Sequence, residues 1–157
     1  MHILVVAHND VNRLLFHKIC ERLGCTVATA ENGHHALDYL SGPSQRPDLI
    51  FMDVLMPIMS GSEVAHILRN RPPFTTDAKL RNTPIIGLYA DGIGPVSDAQ
   101  RLGFNDFIPK PFKFDYLRSQ LRYWTRKEII PPGSGLGGRP DLLRGMRRGH
   151  WGPRSRM

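Results

Sequence analysis

The chain has 157 residues, of which 41% are hydrophobic and 22% charged, and its formal net charge is +7. This length is enough for one domain with a substantial core. No apolar stretch approaches the roughly 18 residues of a membrane span, and the first apolar run is too short for a signal peptide and has no basic region ahead of it. The sequence therefore predicts a cytoplasmic protein, with the nucleus as the alternative location, in which Cys20 and Cys25 are reduced thiols in apolar surroundings.

Short apolar runs alternate with helical patterns along the first 127 residues. Strands are predicted at residues 3–6, 25–30, 49–52, 84–88 and 106–108. Helices are predicted over the apolar positions Val11, Leu14, Leu15, Ile19 and Leu23, over residues 33–40, 62–69 and 96–102, and over the amphipathic positions Phe114, Leu117, Leu121 and Trp124. Residues 70–83 are predicted as a polar loop. Five β–α units in this order predict an α/β fold with a five-stranded, doubly wound parallel sheet.

The composition changes towards the end of the chain. From residue 131 onward, 11 of 27 residues are Gly or Pro, and six arginines accompany a single aspartate. Such a segment has too little apolar surface to offset its chain entropy. We therefore expect a domain over residues 1–127 and a disordered Gly/Pro/Arg-rich tail over residues 128–157. The tail is either a solvated extension or a site of nonspecific contact with nucleic acid or acidic proteins.

Polar side chains follow the predicted strands at the points where those strands end. They are His8, Asn9 and Asp10 after the first strand, Asp53 after the third, Tyr89 after the fourth and Lys110 after the fifth. Because parallel strands end at the same edge of a sheet, these residues are expected to share one pocket. An aspartate beside a lysine suits phosphoryl transfer, with the carboxylate as nucleophile and the ammonium stabilising charge on the transferred oxygens. The spacing alone leaves a purely structural Asp53–Lys110 ion pair open as the alternative.

Several motifs resemble, in order and register, the receiver domains of response regulators in two-component phosphorelays. They are ILVV, NRLL, ATAENGHHALDYL, DLIFMDVLMPIMSG, TPIIGLYA and DFIPKPF, and together they cover residues 1–125. The sequences of these motifs are most similar to those of receivers attached to hybrid histidine kinases. The resemblance implies a flavodoxin-like receiver fold that accepts a phosphoryl group from a phosphohistidine.

The resemblance also implies roles for single residues. Asp53 is the implied phosphoacceptor, Lys110 the implied contact of the phosphoryl group, and Phe107 occupies the position of the aromatic switch residue. Further implied roles are a cis-type turn at Pro111, shaping of the loop after the phosphoacceptor by Met56 and Pro57, and a tight turn at Gly61.

Two positions depart from the family pattern. Receivers normally carry two acidic residues after the first strand, which hold magnesium together with the phosphoacceptor, whereas this chain has Ala7 and His8. Asp10 is the predicted N-cap of the first helix, with a compensating metal ligand as its alternative role. Tyr89 replaces a small hydroxyl residue, and its ring either fills the pocket or points outward. The sequence therefore predicts an impaired site with weak or absent magnesium binding at Asp53.

Two functions follow from this pattern. In the first, a histidine kinase or histidine phosphotransfer protein loads Asp53 slowly, and a downstream signalling protein responds; no enzyme activity is expected beyond self-catalysed phosphotransfer. In the second, the chain is a pseudo-receiver that binds a partner, without phosphorylation, through the face around the fifth strand and the last helix. A further hypothesis makes His8 a built-in counter-ion of Asp53, against the alternative that His8 points to solvent.

Overall fold

The computed structural model describes residues 1–90, 101 and 103–129, with only the backbone for residues 125–129. These residues form five strands, β1 (His2–Val6), β2 (Thr26–Ala30), β3 (Leu49–Asp53), β4 (Ile85–Ala90) and β5 (Asp106–Lys110). Neighbouring strands all pair in parallel, in the order β2-β1-β3-β4-β5. The predicted five-stranded parallel sheet is confirmed. Every residue of β1 and β3 is buried, which explains why their sequences are almost continuously apolar.

Within the described ranges, the helices connect and cover these strands. They are α1 (Asp10–Arg22), α2 (Gly33–Ser41), α3 (Gly61–Asn70), α4 (Ala78–Asn82) and α5 (Phe114–Ile129), with a 3-10 turn at Phe74–Thr76. The last helix runs two residues past the predicted domain boundary. The helix predicted at residues 96–102 lies almost entirely outside the described residues, as does the predicted disordered tail from residue 130 onward.

The prediction of a polar loop over residues 70–83 is wrong. This segment contains the 3-10 turn and α4, because Phe74 and Leu80 are buried beneath it. Asp77 caps α4, and its Oδ1 accepts hydrogen bonds from the backbone N–H groups of Lys79 at 3.0 Å and Leu80 at 3.1 Å. The two helical segments cover the start of β4.

Two core clusters lie on opposite faces of the sheet, because successive strand residues point to opposite sides. The first cluster joins Ile3 and Val5 of β1 to α1 and α5. The second cluster joins Leu4 and Val6 of the same strand to α2, α3 and α4. The sheet is therefore covered by helices on both faces.

Helix α1 buries a narrower face than its apolar positions predict. Its buried residues are Phe16, Ile19 and Cys20, whereas Val11 and Leu14 are 72% and 54% exposed. These two residues therefore lie on the exposed side of α1. The helix predicted over these apolar positions is present as α1.

Both cysteines are free thiols. Burial, with a smaller effect of the neighbouring Cys25, raises the pKa of Cys20 to about 12. A thiol with such a pKa is neutral at physiological pH and is a poor nucleophile.

Candidate functional site

Asp53 ends β3 at the carboxyl edge of the sheet, and its side chain is only 3% exposed. Its Oδ1 lies 2.8 Å from Nζ of Lys110, the last residue of β5. Its Oδ2 accepts a hydrogen bond from the backbone N–H of His8 at 3.2 Å. The approach of Lys110 is not aligned for a hydrogen bond, so the attraction between the two side chains is that of an ion pair. The structure thus brings Asp53 and Lys110 together, as their places at strand ends predict.

His8 reaches Asp53 through its backbone rather than through its imidazole. Its side chain is exposed, and the described residues contain no ion pair between this imidazole and Asp53. The cation beside the carboxylate is Lys110. The suggested counter-ion role of the His8 side chain is therefore not what the geometry provides.

The N-cap of α1 is Asn9, not Asp10 as predicted. Asn9 has an extended backbone, and its Oδ1 accepts hydrogen bonds from the N–H groups of Val11 at 2.8 Å and Asn12 at 3.2 Å. Asp10 is the first helical residue, where a negative charge stabilises the N-terminal end of a helix. Both residues can cap a helix, so their adjacency hid the true start. The partners of these two side chains do not include Asp53, whose own partners are Lys110 and the backbone of His8.

Arg13 is a residue of this edge that the sequence did not reveal. Its Nη1 donates hydrogen bonds to the carbonyl oxygens of Ala7 at 2.6 Å and His8 at 3.0 Å. Its Nη2 contacts the carboxylate of Asp10. The side chain is 17% exposed, whereas that of Asp10 is 88% exposed. The guanidinium therefore holds the loop between β1 and α1 through two of its carbonyl oxygens. In the sequence the NRLL motif marks the position of Arg13 but gives no sign of these contacts.

Tyr89 and Phe107 pack against each other with Val54. Both rings are buried, and their centroids lie 6.5 Å apart in an edge-to-face arrangement. Of the two orientations left open for Tyr89, the structure shows the buried one. Gly87 makes room for Phe107, because a Cβ at that position would lie 2.6 Å from the ring. A glycine inside a buried strand is the sequence signal for this close approach.

The loop between β3 and α3 directly follows Asp53 and carries two exposed apolar side chains. Leu55 and Ile58 are 54% and 80% exposed. Ile58 has φ +73°, a left-handed conformation that is a genuine outlier for a β-branched residue. On the opposite side of the pocket the Lys110–Pro111 peptide bond is cis, as the resemblance implied.

Two broader findings concern the described part of the chain. Its His, Cys, Asp and Glu side chains form no group of three or more that could hold a metal ion. No helix in this part is both long and apolar enough to cross a membrane.

Similarity to known proteins shows the family of this chain. The family model of the response regulator receiver domain matches residues 3–122. The chain is similar to the CAI-1 autoinducer sensor kinase/phosphatase CqsS of Vibrio cholerae, with 35% identity over 125 residues, 78% of this chain and 17% of that protein. It is also similar to the polar-differentiation response regulator DivK of Brucella anthropi, with 33% identity over 110 residues, 69% of this chain and 83% of that protein.

A solved structure shows the same fold. It is the receiver domain of a sensor histidine kinase from Pseudomonas aeruginosa, which has a magnesium ion coordinated in its active-site cleft. The TM-score is 0.65 and the identity 31%, over 78% of this chain and 95% of that one. The chain thus corresponds to a small part of CqsS and to most of DivK and of this receiver. Since the family model spans three quarters of the sequence, the chain belongs to the family of response regulator receiver domains.

Proposed function

We propose that Asp53 is the phosphoacceptor of this receiver and that it accepts a phosphoryl group from a phosphohistidine only slowly. The observation that carries the proposal is a buried carboxylate at the end of β3 whose oxygens are held by Lys110 and the backbone of His8. In the transfer, one Asp53 oxygen attacks phosphorus, the P–N bond to the donor imidazole breaks and an acyl phosphate forms. Lys110 would then shift its charge towards the phosphoryl oxygens.

The slow rate of phosphoryl transfer follows from the side chains that are available to coordinate magnesium. Magnesium takes oxygen ligands in a near-octahedral arrangement. Ala7 and His8 offer a methyl group and an exposed imidazole, Asp53 is ion-paired with Lys110, and Asp10 contacts Arg13. These residues do not fit magnesium, so no step of the proposed transfer uses the metal. Without metal neutralisation, phosphoryl transfer loses orders of magnitude in rate.

A second function, that of a pseudo-receiver, is favoured by the packing of Tyr89 and Phe107. Both rings are buried, and the charge of Asp53 is neutralised without a phosphoryl group. Such a domain holds one conformation and binds a partner through the face formed by β5 and α5.

In the first function the partners are a histidine kinase or histidine phosphotransfer protein upstream and a signalling protein downstream.

Phosphorylation by a small donor tests the first function. The wild type, Asp53→Asn, and the double variant Ala7→Asp with His8→Asp are incubated with acetyl phosphate, with and without millimolar magnesium, and followed by intact mass. We expect slow labelling of the wild type that magnesium barely accelerates, and no labelling of Asp53→Asn. The double variant regains two carboxylates, so its labelling is expected to be faster by at least about tenfold and dependent on magnesium.

The outcomes separate the alternatives. Rapid, magnesium-dependent labelling of the wild type that Asp53→Asn abolishes would show a fully competent site and overturn the proposed impairment. No labelling of the wild type alongside labelling of the double variant would favour the pseudo-receiver.

A further inference from the structure

One peptide group links Arg13 to Asp53. The carbonyl oxygen of Ala7 and the N–H of His8 belong to the same peptide unit, and in a trans peptide they point in opposite directions. The carbonyl accepts from Nη1 of Arg13 at 2.6 Å, and the N–H donates to Oδ2 of Asp53 at 3.2 Å. A guanidinium, a peptide and a carboxylate therefore form a continuous hydrogen-bonded chain.

These hydrogen bonds run from a cation, through the Ala7–His8 peptide, to a carboxylate. A cation at the carbonyl oxygen draws electron density along the peptide and makes its N–H a stronger donor, as hydrogen bonds in series polarise one another. A hydrogen bond between this N–H and a carboxylate is charge-assisted. The side chain of Arg13 is only 17% exposed and that of Asp53 3% exposed. Solvent therefore screens the interactions between these charges and the peptide less than it screens a surface ion pair.

We propose that Arg13 is a positioning residue of this site, which orients and polarises the Ala7–His8 peptide so that its N–H holds one oxygen of Asp53. Lys110 holds the other oxygen. The same guanidinium contacts the carboxylate of Asp10, whose side chain is 88% exposed. The end of β1 thus acts on Asp53 through a relayed positive charge, where other receivers present acidic side chains.

This inference deepens the proposed function and rests on it for the role of Asp53. The connection from Arg13 through the Ala7–His8 peptide to Asp53, here called the relay, can nevertheless be measured without phosphorylation. Backbone amide exchange of the full chain, followed by NMR, reports the His8 N–H directly. The amides of Val11 and Asn12, which bond to Asn9, serve as internal controls for fraying of the helix start.

The main variant is Arg13→Met, which keeps most of the side-chain length and removes the charge. We expect exchange of the His8 amide to become faster on the order of tenfold, with the Val11 and Asn12 amides unchanged. In an Asp53→Ala background, where the acceptor is gone, Arg13→Met is expected to have no further effect on His8. Asp10→Asn removes the ion pair but leaves the two carbonyl contacts, so it is expected to leave the His8 amide as in the wild type.

Several results would overturn the relay. An unchanged His8 amide in Arg13→Met contradicts it, and equal acceleration at His8, Val11 and Asn12 shows that Arg13 only stabilises the helix start. If Arg13→Met does not fold, Arg13→Gln keeps a polar donor at this position but removes the charge. It is expected to accelerate exchange of the His8 amide alone, and the same two results contradict the relay there. A wild type that acetyl phosphate never labels, but whose His8 amide behaves as expected, overturns the proposed function and leaves the relay intact.

Discussion

Gly61 lies at the start of α3, directly against the backbone of Asp53. Its φ is not in the left-handed region, so the turn itself does not require glycine. The requirement is one of space, because a Cβ at this position would lie 1.9 Å from the carbonyl oxygen of Asp53. The Gly61 N–H also donates to the carbonyl of Val54 at 2.8 Å. Gly61 thus allows the close approach of α3 to the end of β3.

Substituting Gly61 by alanine is therefore expected to destabilise the domain. The clash is with backbone, which cannot rotate away, so Gly61→Ala should lower the free energy of unfolding by roughly 2–4 kcal/mol. Urea denaturation measures this change. Gly42→Ala is the matched control, because the added Cβ would lie 3.4 Å from its nearest neighbour, and we expect a change within about 0.5 kcal/mol. Equal effects of the two substitutions would contradict the steric explanation.

For single residues, the sequence predicts which side chains lie together at the ends of strands. It does not predict contacts that depend on the orientation of a peptide group or on the exact start of a helix. Asp53 and Lys110 could be placed because parallel strands carry their last residues to one edge. The contacts of Arg13 depend on the direction of one peptide group, which no residue pattern specifies. The choice between Asn9 and Asp10 as N-cap depends on a one-residue shift, and both residue types favour that position.

Strands and helices differ in how well their sequences reveal them. The three apolar runs of the inner strands β1, β3 and β4 are long enough to stand out, whereas α4 has only five residues, too few to show a helical period. What stabilises this region is a side chain from another element. The guanidinium of Arg69, in α3, donates to the carbonyl oxygens of Leu80, Arg81, Thr83 and Gly103 and to Oδ1 of Asn105, at 2.8–3.4 Å. Burial lowers the pKa of Arg69, yet an arginine remains charged in proteins.

Removing this guanidinium should loosen the connection between α3, α4 and β4. In Arg69→Met four backbone carbonyls and one amide oxygen each lose a donor, although the carbonyl of Leu80 and Oδ1 of Asn105 keep a second one from the N–H groups of Thr83 and Ile85. We expect the free energy of unfolding to fall by roughly 2–4 kcal/mol. Arg71→Met is the matched control, because Arg71 is exposed and lies two residues further along. Urea denaturation of both variants checks the prediction. A loss in Arg69→Met no larger than in Arg71→Met would show that the guanidinium contacts add nothing to stability.

We expect the stability of the domain to depend on pH through His2, at its N-terminal edge. His2 is 7% exposed; its Nε2 lies 2.8 Å from the hydroxyl of Tyr39 and its Nδ1 2.8 Å from that of Thr26. Since the Tyr39 hydroxyl donates to the carbonyl of Gln45, it accepts from Nε2–H, and the neutral ring then accepts at Nδ1 from Thr26. Burial lowers the pKa of His2 below its ordinary value of 6.5, with the nearby Asp48 opposing the shift.

This shift has a definite sign. At pH values between the pKa of His2 in the folded protein and its pKa of 6.5 in the unfolded chain, the unfolded chain binds more protons. The contribution of His2 to the free energy of unfolding is therefore fully present above pH 6.5 and is lost as the pH falls below that value. The slope is at most about 1.4 kcal/mol per pH unit. We expect the wild type to be less stable at pH 5.5 than at pH 7.5, and His2→Gln to lose part of that difference. An identical difference in both proteins, measured by urea denaturation, would contradict the assignment to His2.

The two core clusters also differ in where their residues lie along the chain. The described buried residues of the second cluster end at Ile85, whereas the first cluster needs α5, from Tyr116 to Trp124. During synthesis one face of the sheet can close early, while the opposite face stays open until the last helix has left the ribosome. Lys110 lies four residues before α5, so the cation that neutralises buried Asp53 is synthesised together with that helix. We therefore expect the interior of the first cluster and the Asp53–Lys110 ion pair to be completed in the same step of folding.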